Sequence, residues 1–229
     1  MTNVLAVNGS PVMEHGETAM MLSPFIQGME EAGAEVKIIY PGKLDLKSCS
    51  CGNMYCWNQQ PGKCCLRDDM QHVYPSLEKA DILVLATPVY IPLPGKMQDF
   101  INRLCPLIEP CLEWRDGRTR ARFRKTVHIQ KIVLIATGGW WEKENFDTVI
   151  RIAEELAADA SVPFAGAVIR PHSFLMKRKQ KLTPEGQAIL DETRMAGYQL
   201  VHDGSIFTEI LSNISRPLIT KEALWELYN

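Results

Sequence analysis

The chain has 229 residues, enough for one sizeable core and short for two full domains. Its apolar fraction of 46% and charged fraction of 23% are those of an ordinary globular protein, and a net charge of −2 argues against a general nucleic-acid binder. No apolar run reaches the roughly 18 residues of a membrane-spanning helix, and the start lacks a basic segment before its first apolar run, so the expectation is a cytoplasmic protein with no signal peptide and no membrane partner.

Val4 to Val7 is a short apolar run closed by the turn residues Asn8, Gly9, Ser10 and Pro11, which predicts a buried strand. From Thr18 to Ala32 the apolar positions Ala19, Met20, Leu22, Phe25, Ile26 and Met29 recur at helical spacing, and Gly33 stops the helix. Val36 to Tyr40 predicts a second strand. A strand, a loop, a helix and a strand in this order predict parallel pairing through a right-handed crossover. Residues 41 to 75 lack strong periodicity, except that Asp68 or Asp69 can cap a helix from Met70 to Leu77, a reading preferred here to metal binding by that acidic pair.

Ile82 to Thr87 is continuously apolar, as a strand buried on both faces is, and ends at Pro88. Gly95 to Leu104 is helical in pattern. Residues 106 to 128 read as irregular, and their arginines at 115, 118, 120, 122 and 124 as a solvated charge run, with the 2′-phosphate of NADPH or a protein partner as the sharper alternative. Ile129 to Thr137 predicts the longest strand, Glu144 to Asp159 a helix and Phe164 to Ile169 the last strand. Beyond Pro171 the pattern predicts helices only: Pro184 to Val201 with Thr183 as N-cap, then Ser205 to Ser212 and Lys221 to Leu227. Strands alternating with helices predict an α/β fold on a parallel sheet.

Three loops then face one sheet edge, where such folds bind ligands. The first runs from Asn8 to Thr18. It offers the free amides of a helix N-terminus, hydroxyls at Ser10 and Thr18, and no Lys or Arg, which suits a monophosphate held by neutral donors. It matches neither common nucleotide fingerprint, and taken alone it reads equally well as a helix cap. The second, Thr87 to Met97, carries three prolines and Tyr90. The third, Ala136 to Asn145, carries Gly138, Gly139, Trp140 and Trp141, suited to stacking on a planar ring or, alternatively, to core or dimer packing.

Five of the seven cysteines, Cys49, Cys51, Cys56, Cys64 and Cys65, fall within 17 residues, while Cys105 and Cys111 stand apart. Clustered cysteines in a reducing compartment point to metal or redox chemistry. Three readings compete: an iron–sulfur cluster on Cys49, Cys51, Cys56 and Cys64, redox-active or free thiols, and a structural zinc. No triad, nucleophile elbow or His-based metal motif is present.

Asn8, Gly9, Ser10 and Pro11 with Thr18, followed by Asp81 to Tyr90 with Met97, resemble the NADPH-dependent FMN reductase family. The segment Cys56-Trp57, Pro61 to Cys64 and Asp68 to Met70 resembles its iron–sulfur flavoprotein branch, although the gaps between the first cysteines are one and four residues where that branch has two. The resemblance implies a flavodoxin-like, doubly wound, five-stranded sheet of order 2-1-3-4-5 over residues 1–170, with the cysteine-rich loop at 47–66; residues 171–229 read from their pattern as a helical extension packed on the same domain or on a second subunit. It implies FMN with its phosphate at Ser10, Glu17 and Thr18, and its ring along Pro88, Val89, Tyr90 and the loop from Thr137 through Gly138, Gly139 and Trp140 to Trp141; Pro11, His15 and Gly16 of the first loop are read as cofactor-binding with them. His15 departs from the family, where an Arg or a serine-rich stretch is usual. The implied partners are NAD(P)H and an unidentified electron acceptor, in a homodimer or homotetramer. No side chain is expected to act as acid or base, since the flavin carries the chemistry. The alternatives are a ferredoxin-linked electron carrier with a [4Fe–4S] cluster, and a cofactor-free module that kept the fold.

Overall fold

The computed structural model describes all 229 residues. In chain order the elements are β1 (Thr2–Asn8), α1 (Glu17–Glu31), β2 (Ala34–Ile39), α2 (Tyr55–Asn58), α3 (Met70–Lys79), β3 (Ile82–Pro88), α4 (Gly95–Asn102), β4 (Glu113–Arg115), β5 (Arg118–Arg120), β6 (Lys131–Thr137), α5 (Asp147–Ala160), β7 (Phe164–Arg170), β8 (Lys177–Arg178), β9 (Lys181–Leu182), α6 (Pro184–His202), α7 (Thr208–Ile214) and α8 (Lys221–Tyr228).

Five strands form one parallel sheet in the order β2-β1-β3-β6-β7, which is the flavodoxin-like order. Strand alternation sends Leu5, Val7, Leu83, Leu85, Ile132 and Leu134 to one face and Val4, Ala6, Val84, Val133 and Ile135 to the other. The first face packs against α3, α4 and α5, the second against α1, α6 and α7. This two-sided burial is why β3 and β6 are continuous apolar runs. No helix is long and apolar enough to cross a membrane.

The C-terminal residues build half of one of these layers. Helix α6 lies directly on α1, and the approach is set by two glycines. A Cβ at Gly28 would collide with the Arg194 carbonyl, and one at Gly197 with the Phe25 carbonyl. Thr183 caps α6, its Oγ1 accepting from the Gly186 amide at 2.9 Å.

Two segments depart from the sequence expectation. Residues 106 to 128 hold the β4–β5 hairpin, turned at Asp116 and Gly117, both with positive φ. Its arginines are engaged by carboxylates: Arg118 and Arg120 by Glu155, Arg120 also by Asp159, and Arg122 by Glu109 and Glu113. Most of the run is thus a surface ion-pair network, while Arg124 makes no ion pair. A two-residue ladder, β8–β9, also forms beyond Pro171, where only helices were expected.

Candidate functional site

The loops that follow β1, β3 and β6 are bonded into one rim. Asn8 shapes the first: its Oδ1 accepts from the Ser10 amide at 3.0 Å, and its Nδ2 donates to the Met13 carbonyl at 3.2 Å. Gly9 donates to Ala86 O of β3 at 2.8 Å. A Cβ on Gly9 would sit 2.7 Å from the Met97 side chain, so this loop lies flat against α4. The chain turns once through Met13–His15 and enters α1 at Gly16, whose backbone is extended and which makes no side-chain cap. The first intrahelical bond is Met20 N to Gly16 O, which leaves the amides of Glu17, Thr18 and Ala19 ahead of it. A Cβ at Gly16 would stand 3.2 Å from Ser10 Oγ and 2.6 Å from Val12.

Thr18 and Thr137 meet inside the rim, their hydroxyls 2.9 Å apart and buried. Thr137 O also accepts from the Val89 amide at 2.8 Å, so the end of β6 joins all three loops. Ser10 is buried, whereas Pro11, His15 and Glu17 are exposed. Pro88 and Val89 are half-buried, and Tyr90 is exposed. In the third loop Gly138 donates to Arg170 O at 3.1 Å and stands over the Phe146 ring. Gly139 and Trp140 are exposed, while Trp141 docks its indole Nε1 on Ile219 O at 3.0 Å, the packing role that the sequence reading had set beside stacking. A cavity of about 860 Å³ opens between this loop and α8, lined by Trp140, Trp141, Lys221, Leu224, Trp225 and Tyr228.

Two features beside the rim carry no local sequence signal. Lys43, in the turn after β2, reaches Glu14 at 3.0 Å and supplies the cation that the first loop lacks. That hydrogen bond holds the Glu14 carboxyl below its usual range. Behind the third loop Arg170 is fully buried with no carboxylate partner. It donates to Pro171 O, Ile214 O and Arg216 O at 2.7, 2.5 and 2.9 Å, and to His172 Nε2 at 3.0 Å. His172 Nε2 accepts from the Leu218 amide as well, so its proton rides on Nδ1, which is buried without a partner. Burial, and then the Arg170 charge, push the His172 pKa down to about 4.

The cysteine-rich loop is tied at both ends to Arg103, just past α4, through Lys47 O and Asp68. Its thiols are all free, and no three His, Cys, Asp or Glu residues of the protein converge as ligands of a single metal ion. The expected set of Cys49, Cys51, Cys56 and Cys64 forms no such group: Cys49 is exposed and pairs with Cys51, sulfur to sulfur at 3.6 Å. Cys105, isolated in the sequence, faces Cys56. Burial, and then the neighbouring Cys105, push the Cys56 thiol up to about 12. Asp68 serves as the expected cap, accepting from the Met70 amide at 3.1 Å, but it also takes a two-pronged bond from buried Arg103 at 2.5 and 2.9 Å.

Residues 2–141, more than half of the chain, match the family model for NADPH-dependent FMN reductase. The chain belongs to that family. The chain is also 30% identical over 104 residues to an iron-sulfur flavoprotein of Archaeoglobus fulgidus, across 44% of this chain and 45% of the relative. It is 31% identical over 87 residues to one of Methanocaldococcus jannaschii, across 38% and 43%. The matched segment thus spans less than half the length of these relatives. This family member shares its fold with an NAD(P)H:quinone oxidoreductase from Methanothermobacter marburgensis, at a TM-score of 0.61 and 18% identity over 88% of this chain and 98% of that one. It also shares it with an FMN-dependent NADH-azoreductase from Bacillus anthracis, solved in complex with FMN, at 0.52 and 12% over 94% and 100%.

Proposed function

We propose that this chain binds FMN along the carboxyl edge of its sheet and passes electrons from NAD(P)H through it to a second acceptor. The observation that carries this reading is the rim itself: Thr137 bonds to both Thr18 and Val89 and so ties the phosphate-loop helix to the ring loops. The amides opening α1, with Ser10 beside them, suit a phosphate. The backbone of Pro88 to Tyr90 and of Thr137 to Trp140 suits the edge and face of a flat ring. When bound, FMN supplies the redox chemistry, and the chain's residues orient it and limit water at its face. The cavity between Trp140 and α8 gives a planar nicotinamide or acceptor a place beside that ring.

The test is anaerobic. The purified chain is expected to bind FMN in equal amount, and NADPH or NADH to bleach the flavin absorbance within a mixing experiment. A colourless protein that takes up no added FMN would overturn the reading. A second reading, an electron carrier fed by a ferredoxin, draws on the gathered cysteines. It predicts fast reduction by reduced ferredoxin and slow reduction by either nicotinamide.

A further inference from the structure

We infer that the cavity between the third loop of the rim and α8 is a recognition site for a flat aromatic cation, which in the proposed function is the second acceptor and not the nicotinamide. Its volume of about 860 Å³ falls within the roughly 300–1,000 Å³ of small-molecule sites. Trp140, Trp225 and Tyr228 line it, yet they stay 72%, 70% and 68% exposed. Neither indole stacks on another ring, and no Lys or Arg of the chain covers one. Aromatic faces left uncovered around one cavity suit a ligand that is itself planar.

The fold holds these walls in place without a ligand. The indole of Trp141 donates to Ile219 O at 3.0 Å and so ties the third loop to the segment before α8. Lys221, at the start of α8, bonds to Glu142 of the same loop at 2.5 Å. At the other end of α8, Tyr228 meets Phe174 edge to face, their ring centres 6.2 Å apart. A ligand therefore meets walls that are already placed, which lowers the cost of ordering them on binding.

The charge of the lining chooses the ligand. It holds three carboxylates, Glu142, Glu222 and Glu226, and one ammonium, Lys221, which is engaged by Glu142. Glu222 and Glu226 are left without a salt bridge. They stand one turn apart on α8, a spacing at which like charges repel, and Glu226 lies in the last turn, where a helix favours a cation. Helix chemistry thus does not account for Glu226, whereas a cation in the cavity pairs with both carboxylates. The same cation gains attraction from an indole face, the strongest of the aromatic faces. The phosphates of NAD(P)H would meet these carboxylates with no free cation to answer them, which disfavours the dinucleotide here. The acceptor role rests on the flavin reading. In it the aromatic cation gains two electrons and one proton, a hydride equivalent, and becomes neutral, while NAD(P)H becomes NAD(P)⁺. The neutral product loses the attraction that held the cation, which favours its release.

The test equilibrates the full chain, with and without added FMN, against two flat dyes: methylene blue, a cation, and dichlorophenolindophenol, an anion at neutral pH. Binding is read by equilibrium dialysis, and the folding of each variant by circular dichroism. Methylene blue is expected to bind once per chain, at least about tenfold more tightly than the anion, with an affinity that falls as salt rises. NADPH is expected not to displace it from the FMN-free chain. The double variant Glu222→Gln, Glu226→Gln is expected to weaken it about five- to tenfold, and Trp225→Leu about fivefold, both with the fold intact. Equal affinity for the two dyes, displacement by NADPH, or an affinity unmoved by these substitutions would overturn the inference, as would a second copy of the chain found to close the cavity. The two readings fail separately. FMN bound and reduced by NADPH, with no affinity for methylene blue, would strike this inference alone. Methylene blue bound by a chain that takes up no FMN would strike the flavin reading and the acceptor role with it, and leave the recognition site standing.

Discussion

Thr18 and Thr137 are 119 positions apart, yet each completes the other's hydrogen bonding in a buried space. Removing one hydroxyl leaves its partner buried and unpaired, a loss of about 1–3 kcal/mol. Thr18→Val is therefore expected to lower stability by that amount in urea titration. It is also expected to weaken FMN binding about five- to tenfold, since the helix start and the end of β6 come apart where the phosphate loop meets the ring loops. Thr18→Ser, which keeps the oxygen, is expected to recover most of both losses. Unchanged FMN affinity in Thr18→Val, with stability lowered as expected, would place the phosphate elsewhere. At this scale the sequence shows the residue types and their order, because strand ends and helix starts are local. It does not show pairings. That Thr137 is the partner of Thr18, or that Lys43 stands beside a loop without cations, follows only from parallel strands bringing their carboxyl ends to one edge.

Elements were legible where their stability comes from an apolar face. Strands β3 and β6 are continuous apolar runs because both faces are covered, and α1 shows its stripe because only one is. The β4–β5 hairpin has no such face: Trp114 is 80% exposed, and the ladder is held by arginines bonded to α5. Asp116-Gly117 is a strong turn signal, but polar flanks hide it from a periodicity reading. The cysteine-rich loop is the extreme case: it shows no apolar period, and one buried ion pair, Arg103 with Asp68, ties its end. Breaking such a pair from one side leaves a charge uncompensated, at a cost of about 3–5 kcal/mol. Asp68→Asn is expected to lose stability on that scale at neutral pH and to free the loop to proteases between residues 47 and 67. The sign with pH follows from the carboxyl. Burial pushes the Asp68 pKa up, but the Arg103 bonds and the Lys47 and Met70 amides outweigh it and hold it below the usual range. Its contribution is thus full above the unfolded pKa of about 3.9 and is lost as pH falls further. The gap between wild type and Asp68→Asn should be constant from about pH 8 to about pH 5 and close below about pH 4. A gap that narrows already near neutrality would contradict the assignment.

At the scale of the whole molecule, a buried polar junction ties the C-terminal segment to the third loop of the rim. Arg170 binds the Ile214 and Arg216 carbonyls, His172 binds the Leu218 amide, and the His172 amide binds Trp140 O. Beyond it, α8 adds an ion pair from Lys221 to Glu142 at 2.5 Å and an edge-to-face contact of Tyr228 with Phe174. The junction works only with a neutral imidazole, since Nε2 must accept from two donors. Protonation would convert that acceptor to a donor and set a second cation 3.0 Å from a guanidinium that has no carboxylate. The folded pKa of about 4 lies below the unfolded value of about 6.5, so the group contributes stability above about pH 6.5 that is lost as pH falls toward about 4. At about 1.4 kcal/mol per pH unit the loss across that window is about 3 kcal/mol. His172→Gln removes the titration and is expected to show a flat stability profile over the same window, measured as urea midpoints, while wild type declines. Because the same junction holds Trp140, the FMN affinity of wild type is expected to fall in parallel with its stability, and hydrogen exchange at residues 214–228 to rise first. Identical pH slopes for the two proteins would mean that His172 does not govern the junction, and would leave Arg170 alone as its anchor.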